Sequence, residues 1–227
     1  NRTVITLAGH PNSVSEAAFR LIAAAAELID MRMHTGNHPR MGAVDVCPFV
    51  PIKNADAALC EELAASLGSK VDAELSLPVF YYGSAASHPD RTALSALRRG
   101  EYESLKERMT GEVEPSITRD PDYGSGWNVR HARFGAVAIG VRPILVAYNV
   151  NLAESDAAVA KKVGTIVRSS GRLIRNGDER MRVSGMLDKV QGMGVPLEAH
   201  GISQVSMNLQ DVGVTDMHQA FEAVKSL

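Results

Sequence analysis

The sequence has little that would mark a secreted, membrane or nucleic-acid-binding protein. Its 227 residues include two cysteines, Cys47 and Cys60, too few for a disulfide framework and without the spacing of a metal site. No apolar run approaches the ~20 residues that span a bilayer, and no signal-peptide pattern opens the chain. The formal net charge is -2, so no overall field attracts nucleic acid. These absences predict a soluble, cytoplasmic protein with no membrane and no nucleic-acid partner.

Several catalytic motifs are also absent from the sequence. No Gly-x-Ser-x-Gly elbow offers a serine nucleophile, and Gly192-x-Gly194 does not follow the dinucleotide-binding fingerprint. Cys47 falls in a predicted strand beside Pro48, where a buried and inert thiol is expected. The remaining composition, 45% hydrophobic and 22% charged, is that of an ordinary globular protein with one large domain or two modest ones.

Apolar periodicity predicts mixed helices and strands in the first part of the chain. Ser13-x-x-Glu16 has the pattern of a capping box for a helix over 12–32, and Asp56 is the predicted cap of the next helix. A helix over 91–109 is expected to break near Gly100. Strands are predicted over 3–8, 44–52, 77–82 and 134–139, and a long loop over 110–133.

From Pro143 onward the predicted order is strand, helix, strand, strand, helix. That is the split βαβ, ferredoxin-like pattern without its last strand. The strands are predicted over 143–150, 186–195 and 202–209, the first helix over 155–169, and Thr215 is the predicted cap of the second helix. We expect a subdomain boundary near Val141. Because the chain opens in a strand and closes in a helix, we expect segments to be missing at both ends.

The run of residues 34–49 carries two imidazoles, a guanidinium and a carboxylate on backbone that cannot be regular helix. Pro39 disfavours the helical region for His38 and holds it in extended backbone. Histidine is the side chain whose unperturbed pKa suits proton transfer near neutral pH, so a catalytic role for His38 is the favoured interpretation. The spacing of His34 and His38 also occurs in helical zinc pairs, but no metal site is predicted because the run is not helical.

A second constellation, residues 124–135, gathers the only tryptophan, two arginines, a histidine and several glycines. Arginine forks bind carboxylates, and an aromatic ring stacks on flat heterocycles. The residues alone leave two interpretations equally open. One is a ligand-binding loop, and the other is a solvated basic loop anchored by Trp127.

Short motifs along the whole chain resemble the formiminotransferase family in order and spacing. The most specific of them is His38-Pro39-Arg40-Met41-Gly42-Ala43, followed by Pro48-Phe49. The others are Asn1-Arg2-Thr3-Val4, Leu28-Ile29-Asp30-Met31, Gly100-Glu101-Tyr102-Glu103, Pro121-Asp122-Tyr123-Gly124, Asn149-x-Asn151-Leu152, Lys189-Val190-Gln191-Gly192 and Gln204-Val205-Ser206-x-Asn208-Leu209.

The resemblance implies an α+β protein with two ferredoxin-like subdomains, 1–141 and 142–227, and a ligand site between them. It also implies a homodimer and tetrahydrofolate as co-substrate. The implied reaction transfers a formimidoyl group between N-formimidoyl-L-glutamate and tetrahydrofolate in histidine degradation. In animals this transferase is fused to a cyclodeaminase.

The resemblance also implies which residues form the site. The catalytic histidine of the family falls on His38, as general acid and base. Arg40 is the candidate for a carboxylate of glutamate or of the folate tail. The folate-binding stretch falls on Gly124, Ser125, Gly126, Trp127, Asn128, Val129, Arg130, His131, Ala132, Arg133, Phe134 and Gly135.

Two other functions remain open from sequence. A non-catalytic module that binds folate or an amino acid would not need a titrating group at the reacting carbon, which favours the enzyme because of His38. A formyltransferase would use the same residues as a formimidoyltransferase.

Overall fold

The structure, a computed structural model, describes residues 3–35, 39–112, 120–177 and 179–227. The chain divides into two compact units, Asn1–Arg142 and Pro143–Leu227. Each unit combines helices with a small sheet, and the predicted α+β class is confirmed.

Helices and strands alternate through the first unit. Its helices are α1 (Pro11–Leu28), α2 (Ala57–Leu75), α3 (Leu94–Leu97), α4 (Leu105–Thr110) and α5 (Val129–Phe134). Its strands are β1 (Val46–Phe49), β2 (Val79–Gly83) and β3 (Val137–Val141), and short 3₁₀ turns lie at Met31–Met33 and Pro89–Arg91.

The strands of the first unit form a parallel sheet in the order β1-β3-β2. Parallel strands need crossover connections, and α2 supplies the one between β1 and β2, which lie on either side of β3. The central strand β3 is buried along its whole length, as its continuous apolar sequence requires. Side chains such as Val79 pack towards α1 and α2, while Phe80 packs on the opposite face with Leu97 and Leu105. A ferredoxin-like sheet has antiparallel neighbours. Among the described strands, such neighbours are found only in the second unit, whereas the strands of the first unit are all parallel.

The beginning of the chain differs from the prediction. Residues 3–8 form no strand with any described segment, and Val4 is 79% exposed. A β-branched run becomes a strand only where a neighbour accepts its backbone hydrogen bonds. The Ser13 capping box is also wrong, because α1 already begins at Pro11 with His10 as its N-cap. Proline at the first helical position has no N–H to cap, and its φ suits the helix.

The predicted loop over 110–133 is wrong at its end, where α5 begins at Val129. The helix starts because the Asn128 side chain accepts a hydrogen bond from the backbone N–H of His131 (2.9 Å). The Asp56 cap is confirmed, since its carboxylate accepts from the N–H of Leu59.

The second unit has a three-stranded antiparallel sheet packed against two helices, and a separate two-stranded antiparallel sheet. Its strands are β4 (Val146–Leu152), β5 (Arg172–Asn176), β6 (Glu179–Val183), β7 (Val190–Leu197) and β8 (Ile202–Leu209), with helices α6 (Ala157–Val167) and α7 (Met217–Lys225). The order β4-β8-β7, with α6 joining two strands that both run antiparallel to β8, is the predicted split βαβ pattern. The core is centred on Val163, Val205 and Met207.

Two details of the second unit were not predicted. The β5–β6 hairpin turns directly after the Asn176–Glu179 pair, and Gly177 (φ +63°) supplies the positive φ that the first position of such a two-residue turn requires. Thr215 does not cap α7, because its hydroxyl donates to the carbonyl of Asp188. Asp216 caps the helix instead, in a capping box with Gln219.

Candidate active site

His38, the predicted catalytic residue, lies outside the residues that the structure describes. Arg40, two residues further on, is buried and held by two carboxylates. Its Nη1 donates to Glu101 (2.9 Å) and Glu103 (2.8 Å), and its Nη2 donates to the second oxygen of Glu103 (2.5 Å). The carbonyl of Arg40 also accepts from the backbone N–H of Tyr102 (2.8 Å). Side chain and backbone of Arg40 are therefore fixed by the same short turn.

The Arg40 guanidinium has no free Nη hydrogen left. Its remaining Nη2 hydrogen faces the carbonyl of His34 (3.4 Å), and its Nε is buried with no hydrogen-bond partner among the described residues. The guanidinium holds the pKa of Glu103 below its ordinary value, so this carboxylate stays ionised. A substrate carboxylate can reach Arg40 only by displacing Glu101 or Glu103. The predicted contact between Arg40 and a substrate stays a prediction.

Asp45 supports the same run from its other end. Its Oδ1 accepts from the N–H of Met41 (2.9 Å) and from Nε of Arg98 (3.2 Å), and its Oδ2 pairs with Nη2 of Arg98. The carboxylate thus closes the turn from Met41 to Asp45 and is neutralised by an arginine from a distant segment. In the described part of the chain, Asp45 belongs to the scaffold of the run.

An open cavity of about 390 Å³ lies beside the Arg40 cluster, and we call it the first cavity. It is lined by Thr35, Arg40, Gly100, Glu101 and Glu103. The side chains of Glu101 and Glu103 are 38% and 62% exposed, against 10% for that of Arg40. The first cavity therefore presents carboxylate oxygens rather than a guanidinium, and its rim is anionic.

The loop of residues 124–135 divides into a buried framework and an exposed surface. His131 is buried, with Nδ1 facing the carbonyl of Gly126 (3.1 Å) and Nε2 facing the Asn128 amide (3.0 Å) and the carbonyl of Ser76 (3.2 Å). Both ring nitrogens are used inside the protein. Phe134 and Gly135 are also buried, so these residues shape the loop.

The other side chains of the loop are more accessible. Those of Ser125, Asn128, Val129, Arg130 and Arg133 are exposed, while Trp127 and Ala132 are half-buried.

Two of these accessible side chains are held in place by the protein itself. Arg133 donates to the backbone carbonyl of Glu27. Trp127 packs edge-on to His131, with ring centroids 6.3 Å apart. Arg130 is exposed on α5 and makes no hydrogen bond or ion pair with the residues that the structure describes.

A second cavity, of about 480 Å³, opens beside the start of this loop. Gly124, Ser125, Asn128 and His131 line it together with Ser76 and Tyr123 from neighbouring segments. The lining is polar: it supplies amide, hydroxyl and carbonyl groups, and it includes the carboxylates of Asp72 and Asp122. Such groups suit a ligand with a hydrogen-bonding edge.

The two sequence constellations meet in the first unit. Gly42 and Gly135 form an isolated antiparallel bridge. The N–H of Ala43 donates to the carbonyl of Phe134 (2.8 Å), and the N–H of Ala136 donates to the carbonyl of Met41 (3.1 Å). The end of the 124–135 loop is therefore bonded to the chain that directly follows His38-Pro39-Arg40.

Comparison with known proteins decides the family. The model of the formiminotransferase domain, N-terminal subdomain, matches residues 1–142, and that of the formiminotransferase domain matches residues 147–227. The chain belongs to the formiminotransferase family. The resemblance predicted from the sequence is confirmed.

Individual formiminotransferase relatives match nearly the whole chain. The glutamate formimidoyltransferase of Streptococcus pyogenes is 38% identical over 225 residues, 99% of this chain and 69% of the relative. The glutamate formimidoyltransferase of Thermoplasma acidophilum is 38% identical over 227 residues, and the match covers 68% of that relative. The formimidoyltransferase-cyclodeaminase of Rattus norvegicus is 40% identical, and the chain spans 39% of its length.

Sequence reasoning missed the partners of Arg40. Glu101 and Glu103 are about sixty positions from Arg40, and no local pattern pairs them. The burial of two further arginines, Arg91 and Arg108, was also missed; their guanidinium carbons lie 5.1 and 4.7 Å from the ring centroid of Phe80. The one signal for Glu101 and Glu103 in the sequence was the Gly100-Glu101-Tyr102-Glu103 motif. This motif belongs to the family resemblance, but the sequence does not indicate that it contacts Arg40.

Cys47 lies in β1, as predicted, and burial raises the pKa of its thiol to about 11. At pH 8 its thiolate is then roughly 10²-fold scarcer than in the unfolded chain, because the ordinary thiol pKa is near 8.5–9. We expect iodoacetamide to modify Cys47 at least about 10²-fold more slowly in the native protein than in urea, as followed by mass spectrometry. Labelling at the unfolded rate in the native protein would contradict this expectation.

Within the described ranges, no group of three or more His, Cys, Asp or Glu side chains is arranged to hold a metal ion. None of the helices found there is long and apolar enough to cross a membrane.

Proposed function

We propose that the chain is a glutamate formimidoyltransferase, which moves a formimidoyl group between N-formimidoyl-L-glutamate and tetrahydrofolate in histidine degradation. The observation that carries the proposal is the match over 99% of the chain to glutamate formimidoyltransferases from two distant organisms. The contact between the run that follows His38 and the 124–135 loop supports it, because transfer needs the proton-transfer group and the folate close together.

The chemistry requires one proton to move as one C–N bond replaces another. N5 of tetrahydrofolate attacks the amidine carbon and loses its proton, and the tetrahedral intermediate then expels the glutamate amine, which gains a proton. The nucleophile and the leaving group are both amines, so a single base can take the proton from one and give it to the other. His38 is the proposed group, since histidine titrates in the required range and such catalysis contributes about 10²–10⁴-fold.

The anionic rim of the first cavity suits the donor. A formimidoyl group on nitrogen is an amidine, which is protonated at neutral pH and has the planar fork of a guanidinium. Glu101 binds Arg40 through Oε2, and its other oxygen makes no hydrogen bond with the residues that the structure describes. We propose that the amidinium approaches through this cavity. Arg40 binds a substrate carboxylate only if that carboxylate displaces Glu101 or Glu103.

We propose that the folate binds the 124–135 loop and that the residues of the loop have two different roles. The exposed residues, above all Arg130, Asn128 and Ser125, contact the ligand. The buried members, His131, Phe134 and Gly135, keep the loop in shape.

Two substitutions should separate these roles. Arg130→Ala should weaken tetrahydrofolate binding, by ~1 kcal/mol or more if the guanidinium makes a charge-assisted contact, without changing the thermal midpoint. His131→Ala should lower the thermal midpoint, since it removes a buried imidazole together with its contacts to two carbonyls and an amide. Equilibrium dialysis and thermal unfolding measure the two effects. Loss of stability in Arg130→Ala, or unchanged folate binding in that variant, would contradict the assignment.

We further infer a cytoplasmic homodimer. The dimer follows the family resemblance. A reducing compartment agrees with two free cysteines, both with a thiol pKa raised by burial. Light scattering of the purified protein measures the subunit number.

The donor tests the proposed reaction against its nearest rival. The protein is incubated with tetrahydrofolate and either N-formimidoyl-L-glutamate or N-formyl-L-glutamate, and free glutamate is measured. Release from the formimidoyl compound alone is expected. Release from the formyl compound alone would make the chain a formyltransferase, and folate binding without release from either would make it a binding module.

A further inference from the structure

The turn of residues 100–103, which we call the acidic turn, has unusual backbone geometry. Gly100 (φ +79°) and Glu101 (φ +56°) both occupy the left-handed region. A residue with a side chain, such as glutamate, rarely adopts this backbone conformation. It stays there only when the surrounding structure holds it. Here Arg40 supplies those surroundings, because its guanidinium binds the carboxylate that the turn presents.

Three residues of the acidic turn form hydrogen bonds with Arg40. Glu103 binds both Nη atoms through its two oxygens, Glu101 adds a further contact, and the N–H of Tyr102 fixes the carbonyl of Arg40. A two-oxygen contact to an arginine fork sets orientation as well as distance. Two residues of chain reach at most about 7 Å, so fixing Arg40 limits the space available to the histidine two positions earlier.

The same turn also reaches the 124–135 loop. The hydroxyl of Tyr102 donates to the carbonyl of Ala132 (2.5 Å), in the middle of α5. Tyr102 is half-buried, and burial raises the pKa of its hydroxyl, which keeps it protonated as a donor. One residue therefore bonds the His38 run through its backbone and the proposed folate loop through its side chain.

We propose that the acidic turn positions the transferase site: Glu103, acting through Arg40, fixes the run that carries His38, and Tyr102 ties that run to the 124–135 loop. The inference rests on the proposed function and deepens it. Neither side chain takes part in the chemistry. Their role is to hold the proton-transfer group and the folate in register, where a misplacement of 1 Å can cost about 10²-fold in rate.

The test compares three variants of the acidic turn with two matched controls. Glu103→Gln removes the charge from the two-oxygen contact, Glu101→Gln removes it from a one-oxygen contact, and Tyr102→Phe removes the hydroxyl alone. The controls are Glu107→Gln and Tyr148→Phe, whose side chains make no polar contact within the described parts of the chain.

Transfer from N-formimidoyl-L-glutamate is measured per molecule able to bind tetrahydrofolate, as counted by equilibrium dialysis. This count separates a positioning effect from a loss of folded protein. We expect kcat per binding site to fall about 10- to 100-fold in Glu103→Gln and Tyr102→Phe and less in Glu101→Gln. KM for both substrates should stay within about threefold, and both controls should match the wild type.

Each result decides one statement. If Glu103→Gln and Tyr102→Phe both keep kcat per binding site within about twofold of the wild type, or lose only binding stoichiometry, the positioning role is wrong. If both controls lose as much rate as the turn variants, it is also wrong. If the wild type binds folate and transfers nothing, the proposed function fails, and the inference fails with it.

Discussion

His38→Ala is expected to lower kcat by at least about 10²-fold while tetrahydrofolate affinity stays within severalfold of the wild type. The reason is the proton that must leave N5 of the folate and reach the glutamate amine. Without the imidazole, water must carry this proton. Binding does not depend on that proton, so the loss should appear in kcat and not in the dissociation constant. Steady-state kinetics together with equilibrium dialysis measure both quantities.

His34→Ala is the matched control for this prediction. His34 is four positions away in the same run, and its carbonyl, which the substitution keeps, is what Arg40 contacts. We expect a much milder change in kcat. A well-folded His38→Ala variant with wild-type turnover, or a His34→Ala variant that loses as much as His38→Ala, would remove His38 from the catalytic role.

The second large effect is expected for Gly135→Ala. Gly135 has φ +81°, and an added Cβ would meet the carbonyl oxygen of Met41 and lie 2.7 Å from the Cα of Gly42. Backbone strain and overpacking each cost about 1–3 kcal/mol, so the free energy of unfolding should fall by ~3 kcal/mol or more. Urea unfolding measures this change.

Gly126→Ala controls for the backbone term of the same prediction. Gly126 also has a positive φ (+74°), but an added Cβ meets nothing within 4 Å. Only the left-handed penalty of about 1–2 kcal/mol applies there. If Gly135→Ala destabilises no more than Gly126→Ala, the close packing between the run that follows His38 and the 124–135 loop is not as described.

The fold of the second unit could largely be predicted from sequence, because its signals are local. Strands β4, β7 and β8 each have their own apolar pattern, and the split βαβ order follows from the order of the elements. The failures come from competition between local signals and their surroundings. Ser13 has a good capping pattern, but Pro11 starts the helix earlier. Residues 3–8 have strand propensity, but no described strand pairs with them.

The site was predicted less completely than the fold. Residue types and family resemblance pointed to the His38 run and to the 124–135 loop. They could not show that His131 is internal to the loop, since a buried and an exposed histidine look alike in sequence. They also could not pair Arg40 with Glu103, because that contact depends on the tertiary fold.

The transfer reaction itself is the most direct test of the account. Purified protein, N-formimidoyl-L-glutamate and tetrahydrofolate are mixed, and free glutamate and formimidoyl-tetrahydrofolate are both quantified over time. The account predicts equal amounts of the two products, none when either substrate is omitted, and a rate at least about 10²-fold lower with His38→Ala. Folate binding without formation of either product, or turnover unaffected by His38→Ala, would contradict it.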